Sequence, residues 1–465
     1  MIIYTLMNSV YEFKFEKYDI RLPDNQSVQN CRTTNCRNMK EKMKTTSIEQ
    51  ALQHFDDFYS GIFKTKWPSI RLALQCPSKY CAFVNTFSDV ESTIKTLEEY
   101  GAINLNNIYN KNVQKCQKES NKQENKEIIS SSGNINNPDE ILAEETDDFI
   151  ETDKKSVYSP EESYIAEGEY IPATKFKYEE EIIDENEYFS FLKSDLSLTI
   201  NSEREKNTSF PKSWNIYIYP RGNIESFPAP KKDSLELFSY YLMDGASILP
   251  VLALNPQPGE LIGDFCAAPG GKTLAILFSL QFGKLICNDV SKTRLNRLVS
   301  VLNQYIPSLN ICNERVEITN LDARKVRDKS FDKILLDVPC TNDRLSVTDV
   351  DNNIFSSRRI TERIKMPQLQ MEILSAGLQS LRVGGSVVYS TCSLSPIQND
   401  GVIHMALSHF HKNTNKEFII KDLTDTFNPF NKAMKIWNCK YGKLILPFLP
   451  LNYGPMYICK ITRIK

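Results

Sequence analysis

Residues 263–273 read GDFCAAPGGKT. An apolar run over 261–266 leads into a tight turn of small residues, and a helical pattern over 272–282 leaves it. Gly270 and Gly271 let the backbone approach a ligand closely. The unpaired N–H groups at the start of the following helix point toward such a ligand. The spacing G-x-x-x-x-G-K-[ST] of a phosphate-binding loop is not met. A glycine turn without function looks the same locally, so the surrounding chain has to decide.

Outward from this turn, short apolar strands are predicted at 261–266, 284–289, 316–321, 333–338 and 386–390. Helical patterns at 272–282, 293–305 and 366–381 separate most of them, and 456–464 adds a late strand. Alternation of this kind predicts an α/β fold with a doubly wound, mostly parallel sheet. Ligands of such sheets bind at the carboxyl ends of the strands, near the point where strand order reverses.

Chemistry-bearing residues stand at those ends. Asp289, in LICNDVS, is placed to accept both hydroxyls of a ribose or, alternatively, to cap the next helix. Asp322, in NLDAR, can accept a hydrogen bond from an adenine amino group; alone it reads as a loop residue. Asp337 closes the fourth strand in LLDVPC. Three carboxylates at successive strand ends, with the glycine turn, point to a nucleoside site. Two cysteines share the same edge: Cys340 in DVPCTNDR and Cys392 in VVYSTCSLS. Core cysteines usually act as small hydrophobes, but these are flanked by turn and polar residues. A thiolate is the strongest side-chain nucleophile near neutral pH. Carbon 5 of cytosine needs such a nucleophile to add at carbon 6 before it can itself attack.

Composition bounds the remainder. The chain has 465 residues, more than one ordinary domain, and 41% are hydrophobic, enough for a substantial core. No apolar run is long enough to span a membrane. The 12 cysteines lack the spacing of a secreted disulfide scaffold and read as free thiols in a reducing compartment. Net charge is -2, yet the stretch 139–187 alone carries 18 acidic and 4 basic residues. The rest of the chain is therefore basic, as a phosphate-binding surface requires. Residues 1–44 read as a polar tail and 45–108 as a small helical module in which Ser47 caps a helix bearing Ala51, Leu52, Phe55 and Tyr59. Residues 109–205 read as an acidic, low-complexity insertion expected to be disordered, and 206–465 as the catalytic domain. The first residues contain Glu12, Glu16, Asp19 and Asp24, unlike a mitochondrial transit peptide. Arg358, Arg359, Arg363 and Lys365 crowd a loop after the fourth strand and are candidate phosphate contacts.

CAAPGGKT, DVPC and YSTCS, in this order and spacing, resemble the Nol/Nop/Sun family of RNA cytosine-5 methyltransferases over roughly 206–465. Within it the chain looks most like the mitochondrial member that methylates small-subunit ribosomal RNA, by Asp343 and Arg344 after DVPCT, by NNIF at 352–355 and by NYGPMY at 452–457. ALQHFDDFY at 51–59 with WPSIR at 67–71 extends that likeness to the N-terminal module. The lead-in YYLMDGASILPVLAL, 240–254, looks like the family's helix ahead of the turn.

The resemblance implies a class I, Rossmann-like methyltransferase that uses S-adenosylmethionine and no metal. It implies that Cys266, Ala267, Ala268, Pro269, Gly270, Gly271 and Lys272 hold the methionine end of that cofactor. Asp289 would hold the ribose, Asp322 the adenine side, and Asp337 the amino-acid end or the target base. Cys392 would attack carbon 6 and Cys340 would help release the product. Arg344 joins the other basic residues as an expected RNA contact. The resemblance further implies ribosomal RNA as substrate, a mitochondrial location, a link to mitoribosome assembly, and an mTERF-type helical-repeat partner to a monomeric or heterodimeric enzyme. The competing readings are a DNA or tRNA cytosine methyltransferase, and an assembly factor with secondary catalysis. A DNA enzyme would use the cysteine of the Pro-Cys motif, Cys340, as its nucleophile.

Overall fold

Why the strands form is visible in their composition. Leu285–Cys287, Ile334–Leu336 and Val387–Tyr389 are continuous buried runs, as in parallel strands covered on both faces. Successive residues then serve opposite sides: Leu335 and Val388 belong to the apolar cluster on one face, while Ile334, Leu336, Val387 and Tyr389 belong to that on the other. The computed structural model describes residues 46–113 and 200–465, apart from 206, 207, 209, 224, 308–313 and 327–329. The expected tail at 1–44 and most of the expected insertion lie outside the described residues.

The strands in chain order are β1 (Tyr80–Val84), β2 (Ile103–Asn104), β3 (Ser202–Arg204), β4 (Ile216–Ile218) and β5 (Tyr240–Asp244). There follow β6 (Leu261–Asp264), β7 (Lys284–Asn288), β8 (Val316–Thr319), β9 (Phe331–Asp337) and β10 (Leu381–Thr391). The last are β11 (Phe418–Asp422), β12 (Lys435–Asn438), β13 (Lys443–Leu446) and β14 (Met456–Arg463). The large sheet has the order β12-β13-β14-β10-β9-β6-β7-β8. Strands β6 to β10 are parallel, and β14 runs antiparallel beside β10. The chain leaves β6 first toward β8 and later, through β9, toward β10. The order therefore reverses between β6 and β9, which is where a doubly wound sheet opens its ligand crevice. Among the described residues no helix is long and apolar enough to cross a membrane.

Helices cover both faces. Leu249–Leu254, Gly271–Phe278 and Lys292–Tyr305 bury Leu252, Leu274 and Leu298 on one side. On the other, Ile360–Gln379 and Val402–Asn413 bury Leu374 and Ile403 together with the N-terminal helices Ser47–Phe63 and Trp67–Gln75. Phe55, Tyr59 and Phe63 form the buried stripe of the first of these, and Phe55 meets Phe355 edge-on at 5.2 Å.

Several sequence expectations change here. The cap of the first helix is Thr46, which exchanges hydrogen bonds with Glu49 in a capping box; Ser47 is already helical. The 45–108 segment is not purely helical, because β1 and β2 join β4 and β5 in one antiparallel sheet of order β2-β4-β1-β5. Two partners from beyond residue 205 complete that sheet, so the module closes only with the later chain. Residues 240–244 are accordingly a strand, not the start of a helix: β5 pairs with β1 from Tyr80↔Asp244 to Val84↔Tyr240. The expected insertion is narrower at both ends. Residues 105–113 are helical, with Tyr109 packed on Phe210 at 4.9 Å, and β3 pairs with β11. The helix expected at 366–381 begins at Ile360 and carries Pro367 inside it, although proline favours a first helical turn.

Candidate functional site

The turn after β6 is built by its neighbours. The Phe265 amide donates to Leu335 and the Ala267 amide to Asn288, which suspends the loop between β9 and β7. Gly270 takes a φ of 117°, a conformation that L side chains rarely adopt, and a Cβ there would lie 2.9 Å from Leu298. The helix Gly271–Phe278 starts immediately, so its first-turn N–H groups have no partner within the helix and face the crevice end of the sheet. Thr273 donates to Asp264 Oδ2 at 2.8 Å and ties the helix back to β6. The other oxygen of Asp264 is buried without a partner, and burial pushes this carboxyl up to about 7. The Cys266 thiol is also pushed up, by burial and by the nearby carboxylates Asp264, Asp337 and Asp289.

Asp289 follows β7. Its Oδ1 accepts from the Ser291 amide at 2.9 Å, while Ser291, not Asp289, caps the helix Lys292–Tyr305. Its Oδ2 is buried and receives no hydrogen bond; the nearest cation is Arg294 at 3.4 Å. A buried carboxylate oxygen left without a donor is costly, and here it is an acceptor of the kind a ribose hydroxyl satisfies. Asp322 is arranged differently. Both of its oxygens are engaged by Arg324, at 3.0 Å and 2.7 Å, and that pairing holds its carboxyl below the usual range. An adenine amino group would share this carboxylate with Arg324.

At the end of β9, Asp337 accepts from Lys272 at 2.8 Å and from Ser390 at 2.9 Å. It thereby joins the glycine-turn helix to the strand that ends at the second cysteine. The sulfur atoms of Cys340 and Cys392 lie 2.9 Å apart, and the Cys392 amide donates to Cys340 Sγ at 3.3 Å. The hydrogen bond to Cys340, burial and the charge of Asp337 push the Cys392 thiol up, while Lys272 pulls it down. The Cys392 thiol therefore holds its proton tightly. The residues from Cys266 to Lys272, Asp289, Asp337, Cys340 and Cys392 thus occupy one edge of the parallel sheet.

The basic residues divide. Arg358 and Lys365 are exposed. Arg359 is paired through two nitrogens with Glu362, at 2.8 Å and 2.6 Å, and Arg363 lies 4.6 Å over the Phe355 ring. Arg358 and Arg359 are in a 3-10 turn, Ser357–Arg359, and Arg363 and Lys365 are in the long helix behind it, so the segment is no loop. Arg344 corrects the expectation of an RNA contact. Its guanidinium donates to the carbonyls of Gly454, Ala73 and Cys76 and to Asn452 Oδ1, at 2.7–2.9 Å. A planar five-donor group spent on four internal acceptors is not presented to phosphate. Sequence reasoning also missed the companion carboxylate Asp343 and its partner Tyr59; the only available signal was the Asp-Arg pair following DVPCT.

Comparison with known proteins places these motifs. Residues 251–446 match the family described as 16S rRNA methyltransferase RsmB/F. The chain is similar to the 5-cytosine rRNA methyltransferase nsun-4 of Caenorhabditis elegans, at 33% identity over 455 residues, covering 92% of this chain and 94% of that one. It is similar to the 5-cytosine rRNA methyltransferase NSUN4 of Xenopus tropicalis at 36% identity, covering 94% of this chain and 96% of the other. A mitochondrial tRNA (cytosine(34)-C(5))-methyltransferase of Mus musculus is 33% identical, over 55% of this chain and 72% of its own length.

Proposed function

The chain belongs to the RsmB/F, or Sun, family of RNA cytosine-5 methyltransferases, and from that premise we propose that it methylates a cytosine of mitochondrial small-subunit ribosomal RNA. The protein is an S-adenosylmethionine-dependent RNA (cytosine-5-)-methyltransferase. One observation carries the narrower reading: the likeness to the rRNA enzymes runs through the N-terminal helices, over 92–94% of the chain, whereas likeness to the tRNA enzyme covers 55%. The mitochondrial location, a role in ribosome assembly and an mTERF-type partner accompany this reading. Methyl transfer to transcripts of the two RNA classes tests it. Preference for small-subunit rRNA is expected, and equal or better transfer to a tRNA anticodon arm would overturn it.

The residues present suit the cofactor. The turn Cys266–Lys272 would receive its methionine end at the helix N-terminus, and Asp289 Oδ2, buried without a donor, would take the ribose. Asp322 would take the adenine side together with Arg324. S-adenosylmethionine supplies an electrophilic methyl group on a sulfonium. Cys392 gives up its proton to solvent and its sulfur adds to carbon 6, which pushes an electron pair onto the ring and makes carbon 5 nucleophilic. Once carbon 5 carries both hydrogen and methyl, that hydrogen leaves as a proton to solvent, its electron pair re-forms the double bond, and the bond to Cys392 sulfur breaks to leave a thiolate. Cys340, at hydrogen-bond distance from the departing thiolate, assists this release. Asp337, oriented by Lys272 and Ser390, accepts from the polar edge of the base or from the cofactor amino group.

Two expected results follow from this assignment. Asp289→Ala should weaken S-adenosylmethionine binding by about ten- to a hundredfold, the loss of hydrogen bonds to a charged acceptor. Calorimetry reads this, and unchanged affinity would remove Asp289 from the site. Replacing Arg358 and Lys365 together by Ala should lower the slope of log affinity against log salt for single-stranded RNA by about 1.4. Cofactor affinity should stay constant. An unchanged slope would mean that this exposed pair faces only solvent.

A further inference from the structure

One carboxylate joins the two cysteine loops. Asp343 is buried, and its Oδ1 accepts from Thr341 Oγ1 at 2.5 Å and from Ser393 Oγ at 3.1 Å. Its Oδ2 accepts from the Leu394 amide at 2.7 Å and from the Tyr59 hydroxyl at 2.8 Å. Thr341 is the residue after Cys340, and Ser393 and Leu394 are the two after Cys392. The Asp343 amide also donates to the Cys392 carbonyl at 3.3 Å. Thr341 and Ser393 are themselves in contact, 2.9 Å between their hydroxyl oxygens.

A second bridge braces the first. Gln398 accepts from the Thr341 amide at 3.1 Å and donates to Thr341 Oγ1 at 3.0 Å. Gln370, from the long helix, donates to the Pro339 carbonyl at 2.8 Å and to Gln398 at 3.2 Å. Residues immediately before or after each cysteine are therefore held by buried side chains.

A buried carboxylate is an expensive way to fill a core, and apolar packing of the same volume is often as stable. Burial pushes the Asp343 carboxyl up, and the donors Thr341, Leu394, Tyr59 and Ser393 pull it back toward the charged form. What apolar packing would lack is direction: four donors from three segments fix the loops relative to one another. The spacing they fix is that of two reacting sulfurs. Tyr59 belongs to the N-terminal helix, 284 residues away in sequence. Its hydroxyl is the only polar group on that helix's buried stripe of Ala51, Phe55, Tyr59 and Phe63.

We propose that Asp343 is a positioning residue that sets the spacing of Cys340 and Cys392, and that Tyr59 makes the N-terminal helix part of that setting. The proposal rests on the assignment of these cysteines to the reaction. It gives the N-terminal helix a part in the chemical step. Docking of the helix supplies one of the four donors that Asp343 gathers between the cysteine loops.

The test compares Tyr59→Phe and Asp343→Asn with the unaltered enzyme and with Cys392→Ala, each normalised to S-adenosylmethionine-binding sites. Asp343→Asn keeps shape but turns an amide N–H toward groups that are themselves donors. It should lower kcat about a hundredfold, and Tyr59→Phe about tenfold, the scale expected when reacting groups are misplaced by a fraction of an ångström to 1 Å. KM for RNA and cofactor affinity should stay within about twofold, since neither residue belongs to the glycine turn or the exposed basic pair. In a Cys340→Ala background, adduct formation with RNA should fall by the same factors. A lower melting temperature with unchanged kcat per binding site would show a structural role only and overturn the proposal. If Asp343→Asn does not fold, Tyr59→Phe decides by the same split. Full activity in Cys392→Ala would instead remove the cysteine assignment beneath the proposal, and the two failures are thereby told apart.

Discussion

Cys392→Ala is expected to transfer no methyl group to RNA, a loss of at least about a thousandfold, while Cys340→Ala is expected to accumulate a covalent protein–RNA complex. Without a sulfur to add at carbon 6, carbon 5 stays too weak a nucleophile to take the methyl group. Without Cys340, addition and methyl transfer proceed but the carbon 6–sulfur bond lacks help in breaking. The two sulfurs stand 2.9 Å apart and both border the same crevice, so geometry alone would accept either as nucleophile. The base must leave its stack to reach them, at roughly a few kcal/mol, least in an unpaired loop. A loop-containing small-subunit rRNA fragment, labelled cofactor and denaturing gels separate the outcomes. A trapped adduct in Cys392→Ala would reverse the roles and bring the chain closer to DNA cytosine methyltransferases. Full activity in both variants would end the case for covalent catalysis here.

Arg344→Ala should destabilise the protein by about 2–4 kcal/mol, because hydrogen bonds from a charged donor are lost and buried carbonyls are left unpaired. The carbonyls of Ala73, Cys76 and Gly454 and the side chain of Asn452 would lose a shared donor at once. These acceptors come from the N-terminal helices and from the loop before β14, so the loss should loosen both from the Cys340 loop. Arg344→Lys should recover little, because an ammonium cannot span four acceptors that a planar guanidinium reaches. Urea unfolding measures the change. A loss below about 1 kcal/mol, with weakened RNA binding, would return Arg344 to the RNA-contacting surface.

The contrast between Asp337 and Arg344 shows how far one-dimensional reading reaches. Asp337 was legible because strand patterning placed it at a carboxyl end, and every strand end of a parallel sheet faces the same crevice. The same holds for the turn at 266–272, for Asp289 and for the two cysteines. Arg344 carried the same positive charge as Arg358, and nothing local told them apart. One is enclosed by carbonyls from residues 73, 76 and 454; the other is exposed. Charge is a property of the residue, while access to a phosphate is a property of what packs around it.

By itself, then, the sequence determined the parallel sheet from β6 to β10, the helices between those strands, the late strand β14, and the gathering of a glycine turn, carboxylates and two thiols at the strand ends. Those features follow from short-range periodicity and from a rule that maps strand ends to one place. The tertiary structure decided the rest. It made 240–244 a strand by pairing it with residues 80–84, and completed the N-terminal module with chain from beyond 205. It turned Arg344 from an expected RNA contact into an internal tie, and brought Tyr59 to Asp343 between the cysteine loops. Each of these depends on partners tens to hundreds of residues away. Such contacts leave no period in the sequence, because a hydrogen bond across the fold constrains two positions and not the residues between them.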